Sequence, residues 1–406
     1  MKFLILTLFP EFFANTFSFS MMQKAIDKKI INIEIKNIRD FATGKRKNVD
    51  DKPFGGGAGM ILKPEPVAKS IEYAKAKLKN KAHTIFLTPQ GKKFTQKKAQ
   101  SFAKNKKPLI ILCGHFEGVD ERVRKEFIDE EISMGEFILT GGEIPALAMI
   151  DAVSRLLPHV LGNKKSLQRE SFSEEIFWQK EFPHFTRPQI WRGKKVPEVL
   201  LNGHHKKIEN WQINNLRDIS VLEKKILNLR LQYFPHKTKN TILRLPQRSD
   251  IDFWLKWVND LKVTKGLIID PPLTRKDEED FYENFQKNLK NILLTIEDKS
   301  SKKPIGNVSI SVNHTELNQF SADFGLMIGE KDFWNKGLGS EIVKTILKFA
   351  FEKLNLIKVQ LRVFAENKAA IRIYEKCGFK KVGELKKEVY KKDGFHDCFL
   401  MEKWKK

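Results

Sequence analysis

The chain has only three cysteines in 406 residues, Cys113, Cys377 and Cys398, and no two stand at metal-ligand spacing. Three cysteines cannot build a disulfide framework, so a reducing cytoplasm suits this composition best. Acidic residues are in deficit. Fifty Asp and Glu face 74 Lys and Arg, giving a formal net charge of +24 and a sequence pI of about 9.7. That balance points to an anionic partner, either a nucleic acid or a membrane surface. The excess is uneven: Lys and Arg outnumber Asp and Glu 42 to 26 over residues 1–237, and 32 to 24 over the rest. Long apolar runs are missing as well. The N-terminal MKFLILTLFPEFF breaks at Pro10 and Glu11 and lacks a small-residue cleavage site. It is too short to span a bilayer, so a buried first strand is expected and no membrane segment. There is no internal repeat and no low-complexity tract.

A chain of this length exceeds one typical domain. Strands are expected at Lys2–Phe9, Ile30–Ile38, Thr84–Thr88 and Leu109–Cys113, with helices at Lys69–Asn80, Thr95–Asn105 and Glu143–Leu157. Continuous apolar strands alternating with helices indicate an α/β fold with a parallel sheet over residues 1–162. Residues 163–175 are polar and aperiodic, a linker pattern. Asn202–Gln232 carries helical spacing with a Lys/Arg-rich face, which makes 176–235 a helical subdomain. Phe234–Asn240 is the main expected boundary, and a second α/β pattern follows over 239–406. Its expected elements include strands at Ile305–Val312, Phe324–Ile328 and Lys358–Phe364, and helices at 276–289, Gly339–Leu354 and Asn367–Cys377.

Between Cys113 and Pro145 a strand end, a polar turn, an acidic run and a second apolar run, Phe137–Leu139, are followed by Thr140-Gly-Gly-Glu-Ile-Pro. Glycines at strand ends let a backbone approach a ligand closely. Val49–Pro66 holds a further loop, with Gly55, Gly56, Gly57 and Gly59, whose amides can face an anion or a flat ring. A flexible connector is the ordinary alternative, and no Gly-Lys-Ser/Thr follows to make a Walker A loop.

The strings DDKPFGGGAGM, LTPQGKKF, CGHFEGVDERV, SMGEFILTGGEIPA, DAVSRLLPHVLG and PHFTRP resemble, in order and spacing, the bacterial tRNA (guanine-37-N1)-methyltransferase family over residues 1–235. The resemblance implies a SPOUT-type domain with a trefoil knot, acting as a homodimer on tRNA. It implies S-adenosylmethionine held among Leu87, Pro89, Gly114, Met134, Gly135, Glu136, Phe137, Ile138, Leu139, Gly141, Gly142 and Pro145. Ile138 and Leu139 would flank the adenine. N1 of guanine carries a proton at neutral pH, so the reaction needs a base, and a donor such as Arg for charge developing on the base oxygen. In the family an Asp precedes Ser-Phe; here SLQRESF puts Glu170 in that role, with Arg155 as the cation. Asp50, Gly59, His115 and Glu117 match positions that contact the target base or tRNA, His115 standing where many relatives have Arg. Lys206, Lys207, Arg217, Lys224 and Lys225 would grip the anticodon branch through its phosphates.

In the second half, FWNKGLGSE and VFAENKAAIRIYEKCGF resemble the GNAT N-acetyltransferase superfamily over residues 239–404. Acetyl-CoA is implied, with its pyrophosphate on Lys336, Gly337, Leu338, Gly339 and Ser340, where a helix N-terminus favours anions. Gly325–Ile328, with Met327 and Ile328, would pair with the pantetheine arm, and Asn367 would bond the cofactor. Tyr374 would protonate the leaving thiolate; its ordinary alternative is a core aromatic. Glu316, Asp323 or Glu330 would deprotonate an unidentified amine. Two enzymes fused in one chain is the expectation. The alternative makes the acetyltransferase the main activity and the N-terminal half a tRNA-binding module, and His115 and Glu170 favour it. A third possibility reduces the acetyltransferase fold to an interaction module.

Overall fold

The computed structural model describes residues 1–162, 167–315 and 318–405. The chain divides into two compact units, Met1–Gln168 and Arg169–Lys406.

The first unit is built on five parallel strands: β1 (Lys2–Thr7), β2 (Asn32–Asn37), β3 (His83–Lys93), β4 (Leu109–Cys113) and β5 (Glu130–Ser133). Their order in the sheet is β2-β1-β4-β3-β5. Helices α1 (Ser20–Asp27), α2 (Pro64–Lys77), α3 (Gln96–Asn105), α4 (Glu121–Phe127) and α5 (Glu143–Ser154) cover it. Alternate residues of the central strands feed two cores. Phe3, Ile5, Ile85, Leu109 and Ile111 pack with α3 and α5, whereas Leu4, Leu6, Phe86, Ile110 and Leu112 pack with α2 and α4. All five residues of β4 are buried, which is why LIILC reads as an unbroken apolar run. Each fully buried Ile or Leu contributes about 1.5–3 kcal/mol. Helix ends follow local chemistry. The Thr95 hydroxyl accepts from Lys98 N at 3.3 Å, Asp120 accepts from Arg122 N at 3.0 Å, and α2 begins at a proline.

The apolar run Phe137–Leu139 is no strand. The strand is the acidic segment Glu130–Ser133, paired with β3, and the run after it lies exposed, Ile138 to 80%.

The second unit holds an eight-stranded sheet: β6 (His236–Lys237), β7 (Thr241–Arg244), β8 (Asn291–Asp298), β9 (Pro304–Thr315), β10 (Asn318–Ile328), β11 (Lys358–Phe364), β12 (Lys380–Lys391) and β13 (Gly394–Trp404). Its order is β6-β7-β8-β9-β10-β11-β13-β12, antiparallel except between β10 and β11. That parallel pairing covers only Ser321–Asp323 against Lys358–Gln360. Beyond it the two strands separate, and Phe324–Ile328 stays paired with β9 alone. Helices α6 (His205–Asn214) and α7 (Val221–Tyr233) precede the sheet. Helices α8 (Ile251–Val258), α9 (Leu261–Thr264), α10 (Arg275–Lys287), α11 (Leu338–Glu352) and α12 (Lys368–Lys376) pack around it.

The expected boundary at Phe234–Asn240 changes the pattern along the chain but opens no gap in packing. β6 lies within it and pairs with β7. Ile226 and Phe234 belong to the core of the large sheet, and Leu227 packs in a smaller core with Leu289. Arg230 of α7 is 2% exposed, its guanidinium lying 5.1 Å over the Phe177 ring and donating to Gln286 of α10. Glu174 accepts from Tyr282 Oη at 2.9 Å and from Arg248 Nε at 2.8 Å. The helical segment is therefore seated on the sheet domain. The expected helical stretch 202–232 is two helices; Ser220 and Glu223 close a capping box that restarts the chain as α7.

Candidate functional site

In the first unit, the ends of β3 and β4 and the start of α5 meet over Cys113. Gly142 N donates to Gly114 O at 3.0 Å. A Cβ on Gly142 would lie 2.6 Å from Cys113 Cα and 3.0 Å from Gly114 N, and one on Gly114 would lie 2.8 Å from the Phe86 ring. Both positions therefore require glycine for close approach. Leu87 is buried opposite Cys113 in the register, and Pro145 is buried in the first turn of α5. Beside them, Pro89, Gly135, Glu136, Phe137 and Ile138 line a cavity of about 370 Å³. Met134 packs partly buried against the core below, Gly135 N donates to Ser133 Oγ at 3.2 Å, and Leu139 is exposed. The expected donor residues thus lie on several chain segments, and the cavity among them is lined by Pro89, Gly91, Lys93, Ser133, Gly135, Glu136, Phe137 and Ile138, a mixed apolar and polar surface.

His115 faces inward rather than outward. It bridges to Gly141, and its Nε2 lies 2.9 Å from Glu143 Oε2; the other oxygen of Glu143 accepts from Thr7 Oγ1 at 2.6 Å. Glu143 and Thr7 are buried. This Thr7–Glu143–His115 chain escaped the sequence reading, because its members lie up to 136 residues apart. A buried carboxylate in an apolar helix was the only available signal. Burial and the Glu143 charge together push the Cys113 thiol well above its usual pKa, so Cys113 is a packing residue.

Glu117 and Gly59 are brought into contact. A Cβ on Gly59, where φ is +90°, would lie 2.6 Å from Glu117 Cγ, and Glu117 N donates to Met60 O at 2.9 Å. Asp50 pairs with Leu62 in the short ladder beside them. Arg155 caps the C-terminal end of α5. Glu170 belongs to the second unit; its carbonyl accepts from Ser173 N at 3.0 Å, and the adjacent Arg169 pairs with Glu209 at 2.6 Å. Lys206, Lys207, Arg217 and Lys225 are exposed and Lys224 is half-buried.

The second site surrounds the separation of β10 from β11. The 15-residue helix α11 opens there from Gly337, at φ +78°. The backbone amides of its first turn have no carbonyl partner within the helix, and the dipole adds positive potential. A Cβ on Gly339 would press on Ile373 at 3.0 Å, so α12 packs close behind. Ser340 O accepts from Cys377 Sγ at 3.7 Å, and Lys336 lies 5.1 Å over the Phe333 ring. The unpaired edge at Phe324–Ile328 and this helix N-terminus together fit an extended amide arm ending in a pyrophosphate. Trp334 Nε1 covers the far end of that edge, donating to Ile328 O at 2.8 Å. Tyr374 is buried, its ring meeting Phe324 edge-on at 6.2 Å; burial and then the Cys377 thiol push its pKa up to about 12. Asn367 caps α12, its Oδ1 accepting from Ala370 N at 3.1 Å and its Nδ2 donating to Gly266 O at 3.4 Å, so both of its polar atoms already have partners.

Of the three expected bases, Glu316 lies outside the described residues. Glu330 is unsuited. Burial raises its pKa, but hydrogen bonds from Lys256 at 2.7 Å, Trp257 at 2.9 Å and Lys303 at 3.0 Å outweigh burial and hold it at about 2. Asp323 accepts from Gln360 Nε2 at 2.8 Å at the rim of a cavity of about 790 Å³. Inside that cavity stands a carboxylate that the sequence reading missed, Glu278 on α10. It is 5% exposed, and burial followed by the Asp277 charge pushes its pKa up to about 7. One acid among five in α10 carried no mark in the sequence.

Comparison with known proteins separates the two halves. Residues 1–228 match the family tRNA (Guanine-1)-methyltransferase TrmD, and residues 240–380 match the Acetyltransferase (GNAT) domain. The tRNA (guanine-N(1)-)-methyltransferase of Carboxydothermus hydrogenoformans is 54% identical over 212 residues, 52% of this chain and 81% of that relative. Its counterpart from Clostridioides difficile is 47% identical over 213 residues and covered to 90%. The crystal structure of tRNA (m1G37) methyltransferase from Aquifex aeolicus is 42% identical, covers 52% of this chain and 87% of that one, and superposes with a TM-score of 0.43. Enzymes of the first family use S-adenosylmethionine, and GNAT domains use acetyl-CoA. The glycine-closed strand ends and the cavity beside them lie within the matched residues, and this chain belongs to the tRNA (Guanine-1)-methyltransferase TrmD family, with an acetyltransferase domain fused behind it.

Proposed function

We propose that the chain methylates N1 of guanine-37 in tRNA with S-adenosylmethionine, and that its second domain transfers acetyl from acetyl-CoA to an amine. Family membership carries the first reaction. The observation that best supports its chemistry here is the backbone contact of Gly114 with Gly142 beside the cavity at Pro89–Ile138. S-adenosylmethionine supplies a methyl group on a positively charged sulfur. Glu170 takes the N1 proton onto a carboxylate oxygen as the nitrogen attacks. Arg155 stabilises the charge that develops on the guanine oxygen. Leu87, Gly114, Gly141, Gly142 and Pro145 form the floor under the donor, and Ile138 and Leu139 flank its base. Asp50, Gly59 and Glu117 orient the target guanine, while His115 positions Gly141 through Glu143. The exposed lysines of α6 and α7 hold tRNA phosphates, so binding should fall steeply with salt. A homodimer through the first unit, a knotted chain path and a cytoplasmic location belong to the same proposal.

In the second domain, acetyl-CoA supplies an activated thioester. The amides of Leu338, Gly339 and Ser340, with Lys336, receive the pyrophosphate. Met327 and Ile328 lie on the strand edge that accepts the amide arm. Tyr374, protonated at neutral pH, donates to the leaving sulfur, and Glu278 removes a proton from the amine.

The deciding experiment incubates a tRNA transcript carrying guanine-37 with the purified chain and S-adenosylmethionine, then maps 1-methylguanosine by mass spectrometry. Product at position 37 is expected; none there overturns the proposal and favours a tRNA-binding module. Glu170→Ala should abolish transfer and Glu170→Asp retain it. Full activity in the Ala variant would remove Glu170 from the base role.

A further inference from the structure

The acetyl acceptor is the one component that the family match leaves open, and the cavity beside β10 carries information about it. Its walls are apolar: Val258, Leu267, Ile268, Phe281, Leu293 and Leu326. Its charged lining is mostly acidic, with Asp277, Glu278 and Asp323 against Arg362, and Asn307 and Ser309 add neutral polar groups. Glu278 lies inside at 5% exposure, and no hydrogen bond or ion pair among the described residues reaches its carboxylate. Asn307, 9% exposed, lines the same cavity with a buried Oδ1 that has no hydrogen-bond partner among the described residues. Two more carboxylates stand at the rim. Asp277 is held ionised by hydrogen bonds from the Thr274 side chain and backbone, and Asp323 accepts from Gln360. The one cation in the lining, Arg362, is committed to Glu388 at 2.6 Å.

A buried carbonyl oxygen without a partner costs stability unless a donor fills the site. Two acceptors inside and two anions outside, joined by apolar walls, match a molecule with a donor at each end and carbon between them. Phosphates and carboxylates would face three carboxylates here, the one lining cation being already paired, which disfavours an RNA base amine or a sugar phosphate as the acceptor.

We propose, resting on the acetyltransferase function given above, that the acceptor is an aliphatic di- or polyamine. Its reacting ammonium sits between Glu278 and Asn307, and its second charge lies at Asp277 and Asp323. The reaction balances without a further reagent. The ammonium gives one proton to Glu278, from which it passes to solvent. The free amine forms a C–N bond to the thioester carbonyl carbon while the C–S bond breaks. The nitrogen loses a second proton, and the sulfur takes one from Tyr374, which is refilled, so that the products are amide, thiol and one released proton. The unpaired edge Gly325–Met327 lines the same cavity, which brings the thioester and the amine into one space.

The test uses the full chain. Acetyl-CoA binding is measured by calorimetry, then acetyl transfer to 1,4-diaminobutane, spermidine, butylamine, an Ala-initiated peptide and tRNA is followed by mass spectrometry. Diaminobutane or spermidine should exceed butylamine in kcat/KM by at least about tenfold, two charge contacts being worth roughly that factor. Asp323→Asn should raise KM for the diamine by a larger factor than for butylamine. Glu278→Gln should lower kcat with both while acetyl-CoA binding persists. Preferred acetylation of the peptide or of tRNA, or equal rates with mono- and diamines, overturns the acceptor assignment alone. Failure to bind acetyl-CoA overturns both this assignment and the acetyltransferase function beneath it.

Discussion

Replacing Gly142 by Ala tests the methyl-donor floor at a single atom. The added Cβ would meet Cys113 Cα at 2.6 Å, Cys113 Cβ at 3.0 Å and Gly114 N at 3.0 Å. Two of these three atoms are backbone, and the third belongs to a fully buried residue. No rotamer change can relieve the contact, so the start of α5 must move away from β4, by roughly 1 Å to restore ordinary van der Waals separation. Such overpacking costs about 1–3 kcal/mol. For a domain of this size each kcal/mol lowers Tm by about 2–4 °C. The shift also lengthens the 3.0 Å hydrogen bond from Gly142 N to Gly114 O, which lies at the proposed donor site. Donor affinity should therefore fall by about tenfold or more, each tenfold corresponding to about 1.4 kcal/mol. Calorimetric titration with S-adenosylmethionine and thermal unfolding, side by side, measure both effects. Gly162→Ala is the control, because among the described residues a Cβ there meets nothing within 4 Å. A Gly142→Ala protein with unchanged Tm and donor affinity would refute the close-approach reasoning.

Three other expectations follow from buried charges. Arg230 is buried with its Nε and Nη1 unpartnered among the described residues, and burial holds its pKa well down, at about 10. Arg230→Met keeps the bulk and removes the charge, so it should be neutral or stabilising by about 1–4 kcal/mol in thermal unfolding; a large loss would show that the guanidinium is well satisfied. Glu278 has a folded pKa raised to about 7, so the unfolded chain holds fewer protons between the usual carboxylate value and 7, and stability falls as pH rises through that window. Glu278→Gln should therefore raise Tm at pH 8 and leave it unchanged near pH 4; acetyl transfer by the parent should rise with pH around 7. Glu330 behaves oppositely. Its pKa is held at about 2, so its contribution is full at neutral pH and is lost as pH falls towards 2. Glu330→Gln should cost about 1–3 kcal/mol at pH 7, since both lysine partners are partly exposed, and the gap to the parent should close in acid.

Both cofactor strings were legible because each is a local device. Gly114 and Gly142 end a strand and begin a helix, and Gly337 begins another, so the chemistry sits where the chain turns. Strand Leu109–Cys113 and strand Lys358–Phe364 occupy the residues their apolar runs mark. The Phe137–Leu139 run lies exposed although it is apolar, because apolar composition implies burial only on average. The choice among carboxylates for acetyl transfer stayed open in the sequence for another reason. Glu330 and Glu278 are the same residue type, and only their neighbours decide between a carboxylate held at about 2 and one pushed up to about 7.

Composition and periodicity alone determined that two α/β patterns follow one another, that the first is parallel and that the chain is strongly basic. These properties depend on residues close in sequence, through the side-chain period of a strand or helix and the sum of charges. Tertiary structure decided the rest. It joined Thr7 to Glu143 across 136 residues and turned His115 inward. It seated α7 in the core of the second sheet, and it left Glu278 and the Asn307 oxygen facing one cavity. Each of these depends on which groups lose water together, and that is settled only when distant segments pack.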